Sequence, residues 1–295
     1  MEERANPGRT RTHTPTVDEE RGGEYPADLY RFERHAPMSE RLDDLGEADL
    51  SRYREQGFLA VRQAFELDRV RAALAGLSHL IIGGEPGFDG IQFERDIPGG
   101  IESVPPEERQ DHIRKLMWFT DLDRRLQTMA EDPTLISVVR RIMGGREPRL
   151  FQDMALLKPP RGGREKPWHQ DKAFFDLRLD VPIVGVWIAL DDANPENGCM
   201  HVIPGSHREG PRLHFSRRDY QICDTDVQTW RDVMVPLPPG GLLFFDGLIH
   251  HGTPRNHSEE RRRAVQFHYA PADAVTVDKE QRLAIFGAEG KDATC

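Results

Sequence analysis

At Arg149 the texture of this 295-residue chain changes, and that change limits its fold more than any other feature. Before it, apolar residues recur at helical spacing. After it, short apolar runs at 150–157, 183–190, 200–203, 233–237, 242–245 and 264–269 stand between turns rich in Pro and Gly. Runs of this length, bounded by turn residues, read as strands. Helices first and strands afterwards imply an α+β chain whose second half is mainly β, an antiparallel sandwich or barrel.

The first half supports this division. Residues 47–56 read as a helix ending at Gly57, and 58–61 as a short strand. Val70, Ala73, Leu74, Leu77 and Leu80 form a helical stripe over 67–82. The stretch 83–100 is rich in Gly and Pro and reads as a loop, followed by short helices at 106–116 and 122–130. Asp132 and Pro133 supply the N-cap and first position of another helix, running to Met143 ahead of Gly144 and Gly145. Residues 1–25 are polar and mixed in charge, a flexible tail with no apolar segment of the kind a signal or transit peptide carries. The expected organisation is one domain over 26–280, with a helical part at 45–145, a strand core at 149–271 and a C-terminal tail at 281–295.

Composition excludes several classes. Hydrophobic content of 37% supports a sizeable core, yet no run of about eighteen apolar residues exists to span a membrane. A net charge of -10 argues against nucleic acid or an anionic membrane as a general partner. Cys199, Cys223 and Cys295 are odd in number and scattered, giving neither a disulfide framework nor zinc spacing, so the expected compartment is the reducing cytosol.

The chemistry is concentrated at His169-Gln170-Asp171 and, some eighty residues later, His250-His251-Gly252-Thr253. Residues two apart on a strand share a face, so His169 and Asp171 can reach one ion from one side. A second His from a distant strand completes two histidines and one carboxylate, the facial set that holds non-haem Fe(II) and leaves positions open. Of the adjacent pair, His251 is favoured, because Gly252 lets the backbone approach an ion closely. A cosubstrate such as 2-oxoglutarate also needs a cation for its far carboxylate, and the planar fork of arginine suits that best. On the strand after His251, alternation places Arg262, Ala264, Gln266 and His268 on one face and Arg263, Val265, Phe267 and Tyr269 on the other. The competing reading of Arg261-Arg262-Arg263 is a solvated basic run.

These motifs carry a resemblance. Leu157-Lys158-Pro159-Pro160, Trp168 to Asp171, Trp187 to Cys199, Ile203-Pro204-Gly205-Ser206-His207, His251-Gly252-Thr253 and Arg262 occur in order. Together they resemble the phytanoyl-CoA dioxygenase family over roughly residues 47–271. The resemblance implies a double-stranded β-helix (a jelly roll, cupin-like) with the N-terminal helices packed on it, together with Fe(II), 2-oxoglutarate and O2. By position, His169, Asp171 and His251 match the iron ligands. Arg262 and Thr253 match residues binding the far carboxylate of 2-oxoglutarate and its neighbouring oxygens. Trp187 matches an aromatic lining that pocket, Met154 a residue on the adjacent strand, and Lys115 a cosubstrate-contacting lysine. For Lys115 a helical surface position is the alternative, and for Trp187 a place in the core.

Relatives that halogenate carry a small residue where this chain has Asp171, so the resemblance implies hydroxylation of a small-molecule metabolite. Desaturation, epimerisation or halogenation at the same iron is one alternative, and a non-catalytic metal-binding jelly roll is another. Between the two halves of the metal site, 207–219 holds Arg208, Arg212, Arg217 and Arg218 against Glu209 and Asp219. Such a basic loop suits an entrance for an anionic or polar substrate, with Phe215 and Tyr220 as a cover. Its rival is a solvated loop whose arginines pair with acids elsewhere.

Overall fold

Eight strands after residue 147 cross between two sheets in the order that closes a jelly roll. The computed structural model describes residues 23–287 apart from 95, 96 and 98, together with a short strand at Thr16–Val17. We label the eight strands β1 (Pro148–Lys158), β2 (Lys166–His169), β3 (Val184–Ala189), β4 (Met200–Val202), β5 (Val233–Val235), β6 (Leu242–Asp246), β7 (His251–Thr253) and β8 (Arg262–Pro271). In the large sheet the core order is β1-β8-β3-β6, and in the small sheet β5-β4-β7-β2, with every one of these neighbours antiparallel. The large sheet is extended to nine strands by N-terminal segments, among them Ile113–Met117 beside β1 and Phe58–Gln63 beside β6.

Period-two alternation on the large sheet separates two cores. Val265, Phe267 and Tyr269 of β8, Val186 and Ile188 of β3 and Phe244 of β6 face outward, under the helices Leu67–Ile81, Arg124–Ala130 and Pro133–Ile142. Trp187, Ala189, Leu243, Phe245 and Ala264 face inward, toward Met200 and Val202 of the small sheet. The helical stripe of Val70, Ala73, Leu77 and Leu80 is buried as expected. Asp132 caps its helix by accepting from the amides of Thr134 (3.0 Å) and Leu135 (3.2 Å), with Pro133 next.

Three expectations need correction. The stretch 106–116 is not a helix: a 3-10 turn at Arg109–His112 leads into the strand Ile113–Met117, because pairing with β1 (Lys115 opposite Leu156, Met117 opposite Met154) overrides local preference. Within 83–100 a strand, Ile91–Phe93, pairs with that same strand. Where a tail was expected from 281, the helix Lys279–Phe286 forms instead, capped by Asp278, with Phe286 buried. Most of the expected N-terminal tail lies outside the described residues, and the chain after it packs on the barrel through the buried Leu29 and Tyr30. Trp168 Nε1 donates to Leu29 O, and Tyr30 stacks on the Trp168 ring.

Asp153 anchors the turn that leaves Ile113–Met117. Its buried carboxylate accepts from the amides of Trp118 (2.5 Å), Phe119 (3.1 Å) and Thr120 (2.8 Å) and from the Thr120 hydroxyl (2.5 Å), while Trp118 is held at a φ of 65°. Each buried donor left unpaired costs about 1–3 kcal/mol. Asp153→Ala is therefore expected to lower unfolding stability by at least about 3 kcal/mol, read by denaturant titration.

Candidate metal centre

His169 and His251 face one another across the β2–β7 ladder as direct Cα partners, their ring centroids 4.2 Å apart. Asp171 is not on the strand. β2 ends at His169, Gln170 continues extended at φ -115°, ψ 125°, and Asp171 opens the 3-10 turn Asp171–Phe174. One extended residue is enough to carry the carboxylate back to the same side. Asp171 Oδ1 lies 3.1 Å from His169 Nε2 and 3.5 Å from His251 Nε2. Gln170 braces this step: its side chain donates to Gly210 O and Leu248 O and accepts from Arg212 N.

The donor set fits a divalent iron. His169 Nδ1 donates to Pro167 O (2.7 Å) and His251 Nδ1 to Ile249 O (3.1 Å), which leaves each Nε2 with a lone pair toward the centre. Burial, and after it the facing His251, lowers the His169 pKa to about 4, so the ring is neutral and able to ligate near pH 7. Burial by itself would raise Asp171. The neighbouring His251 and His268 and the bond to His169 outweigh it and hold the carboxyl well below its ordinary range. Ligand atoms of the three residues all lie within 4.8 Å of one another.

Beside the three ligands lies a cavity of about 160 Å³, lined by Lys115, Met154, Thr253 and Arg262 as well as Met117, Phe174 and Phe175. Thr253 follows His251 by two positions on β7. Arg262 is fully buried, its Nη1 donates to Leu156 O (3.2 Å), and its Nε has no partner. Among the described residues no carboxylate pairs with it. Burial lowers its pKa to about 10. A buried guanidinium without a counter-ion is costly and marks a place made for an anion. Its neighbours in sequence behave differently: Arg261 pairs with Asp111 and Arg263 with Asp191, both partly exposed.

Lys115 is on a strand, not a helix surface. The register shift between Gln92 and Phe93 bulges that strand, so Arg114 and Lys115 both line the cavity. Trp187 does not line it; the ring lies under the Arg262 guanidinium, 5.5 Å from Cζ to centroid, and so supports the cation from the core side. Gly252 lines the cavity and is also tightly enclosed by protein: a Cβ there would meet Lys166 O and Tyr30 Oη at 3.0 Å.

The loop 207–219 does not form the cavity wall. Arg212 pairs with Glu209, and Arg218 with Glu165 and Asp224. Asp219 binds Arg114 and Lys166, which do line the cavity. The aromatics in the lining are Phe174 and Phe175, and Tyr220, one of the two expected cover residues, lies edge-on to Phe174.

Lys158 entered the sequence reading only as part of a motif, with no role; it is paired in register with Arg262 and buried, its ammonium donating to Arg164 O and Pro254 O (2.6 Å each). Sequence reasoning also missed His214, whose Nε2 accepts from Gln170 N (3.0 Å) while Nδ1 donates to Arg212 O (2.8 Å). That ring must be neutral, and burial lowers its pKa to about 3. The unfolded chain, with an ordinary His, binds the proton first, so stability falls as pH drops below about 6.5 toward the folded value. The expected slope is about 1.4 kcal/mol per pH unit from this group, reduced in His214→Gln, and measurable by denaturation between pH 7 and 4.

A jelly roll with two histidines and a carboxylate at one end of its barrel defines the class of non-haem iron oxygenases. Residues 53–264 match the family described as phytanoyl-CoA dioxygenase (PhyH), and the chain belongs to that family. It is a 2-oxoglutarate-dependent oxygenase with iron as cofactor and 2-oxoglutarate as cosubstrate. A probable phytanoyl-CoA dioxygenase of Caenorhabditis elegans is 27% identical over 237 residues, 75% of this chain and 74% of that protein. Among solved structures, EvdO2 from Micromonospora carbonacea var. aurantiaca, complexed with 2-oxoglutarate, shares the fold at a TM-score of 0.62 and 24% identity, covering 82% of this chain and 97% of that one. The epimerase SnoN, in complex with Fe3+, alpha ketoglutarate and nogalamycin RO, shares it at a TM-score of 0.60 and 20% identity, covering 79% and 86%. Among the described residues no helix is long and apolar enough to cross a membrane.

Proposed function

We propose that this enzyme hydroxylates a small polar metabolite, with 2-oxoglutarate and O2 converted to succinate and CO2 as the hydroxyl is installed. The observation that carries the reading is the conjunction, in one cavity, of a complete His169, Asp171 and His251 set with the buried Arg262, which has no carboxylate partner among the described residues. Iron bound by the three ligands would supply the activation of O2. Arg262 binds the far carboxylate of 2-oxoglutarate, with Thr253 and Lys115 contacting its oxygens, Met154 on the neighbouring wall and Trp187 bracing the guanidinium. Phe174 and Phe175 exclude water from the substrate side.

A polar substrate suits this cavity better than a strongly anionic one. Arg164 is matched by Glu94, and Asp219 is shared by Arg114 and Lys166, so the positive charge of the lining is already partly compensated. Asp171 fills the position that a halide would need, which favours hydroxylation over halogenation. Epimerisation is the second reading, favoured by the shared fold of SnoN. The helices and the jelly roll share one core, which supports one catalytic unit that runs on through the helix Lys279–Phe286. Two free, buried cysteines, Cys199 and Cys223, accord with a cytosolic setting. The test is a metabolite screen that reads succinate and then identifies the product by mass. A product heavier than its substrate by one oxygen is expected; an isomeric product would replace hydroxylation with epimerisation.

A further inference from the structure

The two oxygens of Asp171 have different surroundings. Oδ1 faces the Nε2 atoms of His169 and His251. Oδ2 takes a 2.6 Å contact from His268 Nε2 and a 3.2 Å hydrogen bond from Gln266 Nε2. Both donors come from the inward face of β8, two residues apart, and converge on one atom.

We infer that His268, with Gln266, is a positioning residue that holds Asp171 as a one-oxygen metal ligand. The inference rests on the proposed metal-binding roles of His169, Asp171 and His251. Three features point to it. A carboxylate only accepts, so the 2.6 Å contact places a proton on His268 Nε2. The other ring nitrogen, Nδ1, is buried with no partner, so every polar contact of this fully buried ring lies at Nε2, the short one to Asp171 and a longer one, 3.2 Å, to Gln266 Nε2. The ring is also held by Phe151, Phe175 and Phe245, with centroid distances of 6.0, 4.9 and 6.1 Å, which leaves it little room to turn away.

The consequence concerns coordination number. Rotation of the Asp171 carboxylate would break both bonds to Oδ2, so Oδ1 alone is offered. Without the two donors the carboxylate can present both oxygens and occupy a position that a chelating keto acid requires.

The test is anaerobic titration of the purified chain with Fe(II) alone, followed by the visible spectrum of the Co(II)-loaded protein, which reports coordination directly. His268→Phe keeps an aromatic ring in the cage and removes the donor; His268→Gln keeps an N–H near the Nε2 position. Outer partners of metal ligands typically contribute 10–100-fold in affinity, so His268→Phe should weaken Fe(II) binding by about that factor and change the Co(II) spectrum. His268→Gln should recover most of the affinity and the wild-type spectrum, which a purely structural role for the ring would not produce. Gln266→Leu leaves the cage intact and carries the test if His268→Phe does not fold, with a weaker Fe(II) affinity again expected. Tight Fe(II) binding by the wild type, with affinity and Co(II) spectrum unchanged in the variants, would overturn the inference. A wild-type chain that takes up no Fe(II) overturns the metal-site reading, and this inference with it.

Discussion

Arg262→Ala is expected to raise the 2-oxoglutarate requirement by roughly thirty- to several-thousand-fold, while Arg261→Ala and Arg263→Ala leave it nearly unchanged. The range follows from the loss of one partner of a desolvated, hydrogen-bonded charge pair, about 2–5 kcal/mol, at about 1.4 kcal/mol per factor of ten. Burial separates the three arginines. Arg262 is 2% exposed, stacked on Trp187 and without a carboxylate among the described residues, whereas its neighbours already have Asp111 and Asp191. The same contrast gives a second readout. Removing an uncompensated buried cation relieves desolvation, so Arg262→Ala should not lose stability in proportion to its loss of cosubstrate binding. Apparent Kd for 2-oxoglutarate and the unfolding midpoint, measured on one preparation, separate binding from folding. Equal, small effects at all three positions would return the run to a solvated surface.

His169→Ala, Asp171→Ala and His251→Ala are each expected to abolish Fe(II) uptake and turnover. His250→Ala should keep both and lose stability instead. His250 is as buried as the ligands, yet neither ring nitrogen has a partner, and burial lowers its pKa to about 4. Truncating so large a buried side chain costs roughly 2–5 kcal/mol, as in other large-to-small core changes. Metal content by elemental analysis against the unfolding midpoint distinguishes the two classes. A metal-free but stable His250→Ala, with iron retained by His251→Ala, would reverse the assignment of the strand phase.

The jelly roll was legible because β1, β3, β6 and β8 are apolar runs between turns, and their alternation survives in the structure residue by residue on β8. The candidate ligands were legible for a partly different reason. Period two placed His169 and Asp171 on one side, although Asp171 lies beyond the strand and reaches the centre through one extended residue, Gln170. Lys115 was harder to place. Its segment reads as helix locally and becomes a strand only through pairing with β1, a contact between residues some forty positions apart. The sequence left the loop 207–219 open between an entrance and a loop whose arginines pair with acids, and the pairs of Arg212 with Glu209 and of Arg218 with Asp224 and with Glu165, 53 residues away, favour the second. His268 and Gln266 were on the inward face in the sequence reading, but the shared target, Asp171 Oδ2, belongs to tertiary structure alone.

We propose that His169, Asp171 and His251 hold iron next to a 2-oxoglutarate site ending at Arg262. Anaerobic titration of 2-oxoglutarate into the Fe(II)-loaded protein tests it most directly. A weak visible charge-transfer band that saturates at one cosubstrate per chain, disappears in Asp171→Ala and needs far more 2-oxoglutarate in Arg262→Ala is the expected result. Fe(II) bound with no such band, or a band that survives Asp171→Ala unchanged, would contradict it.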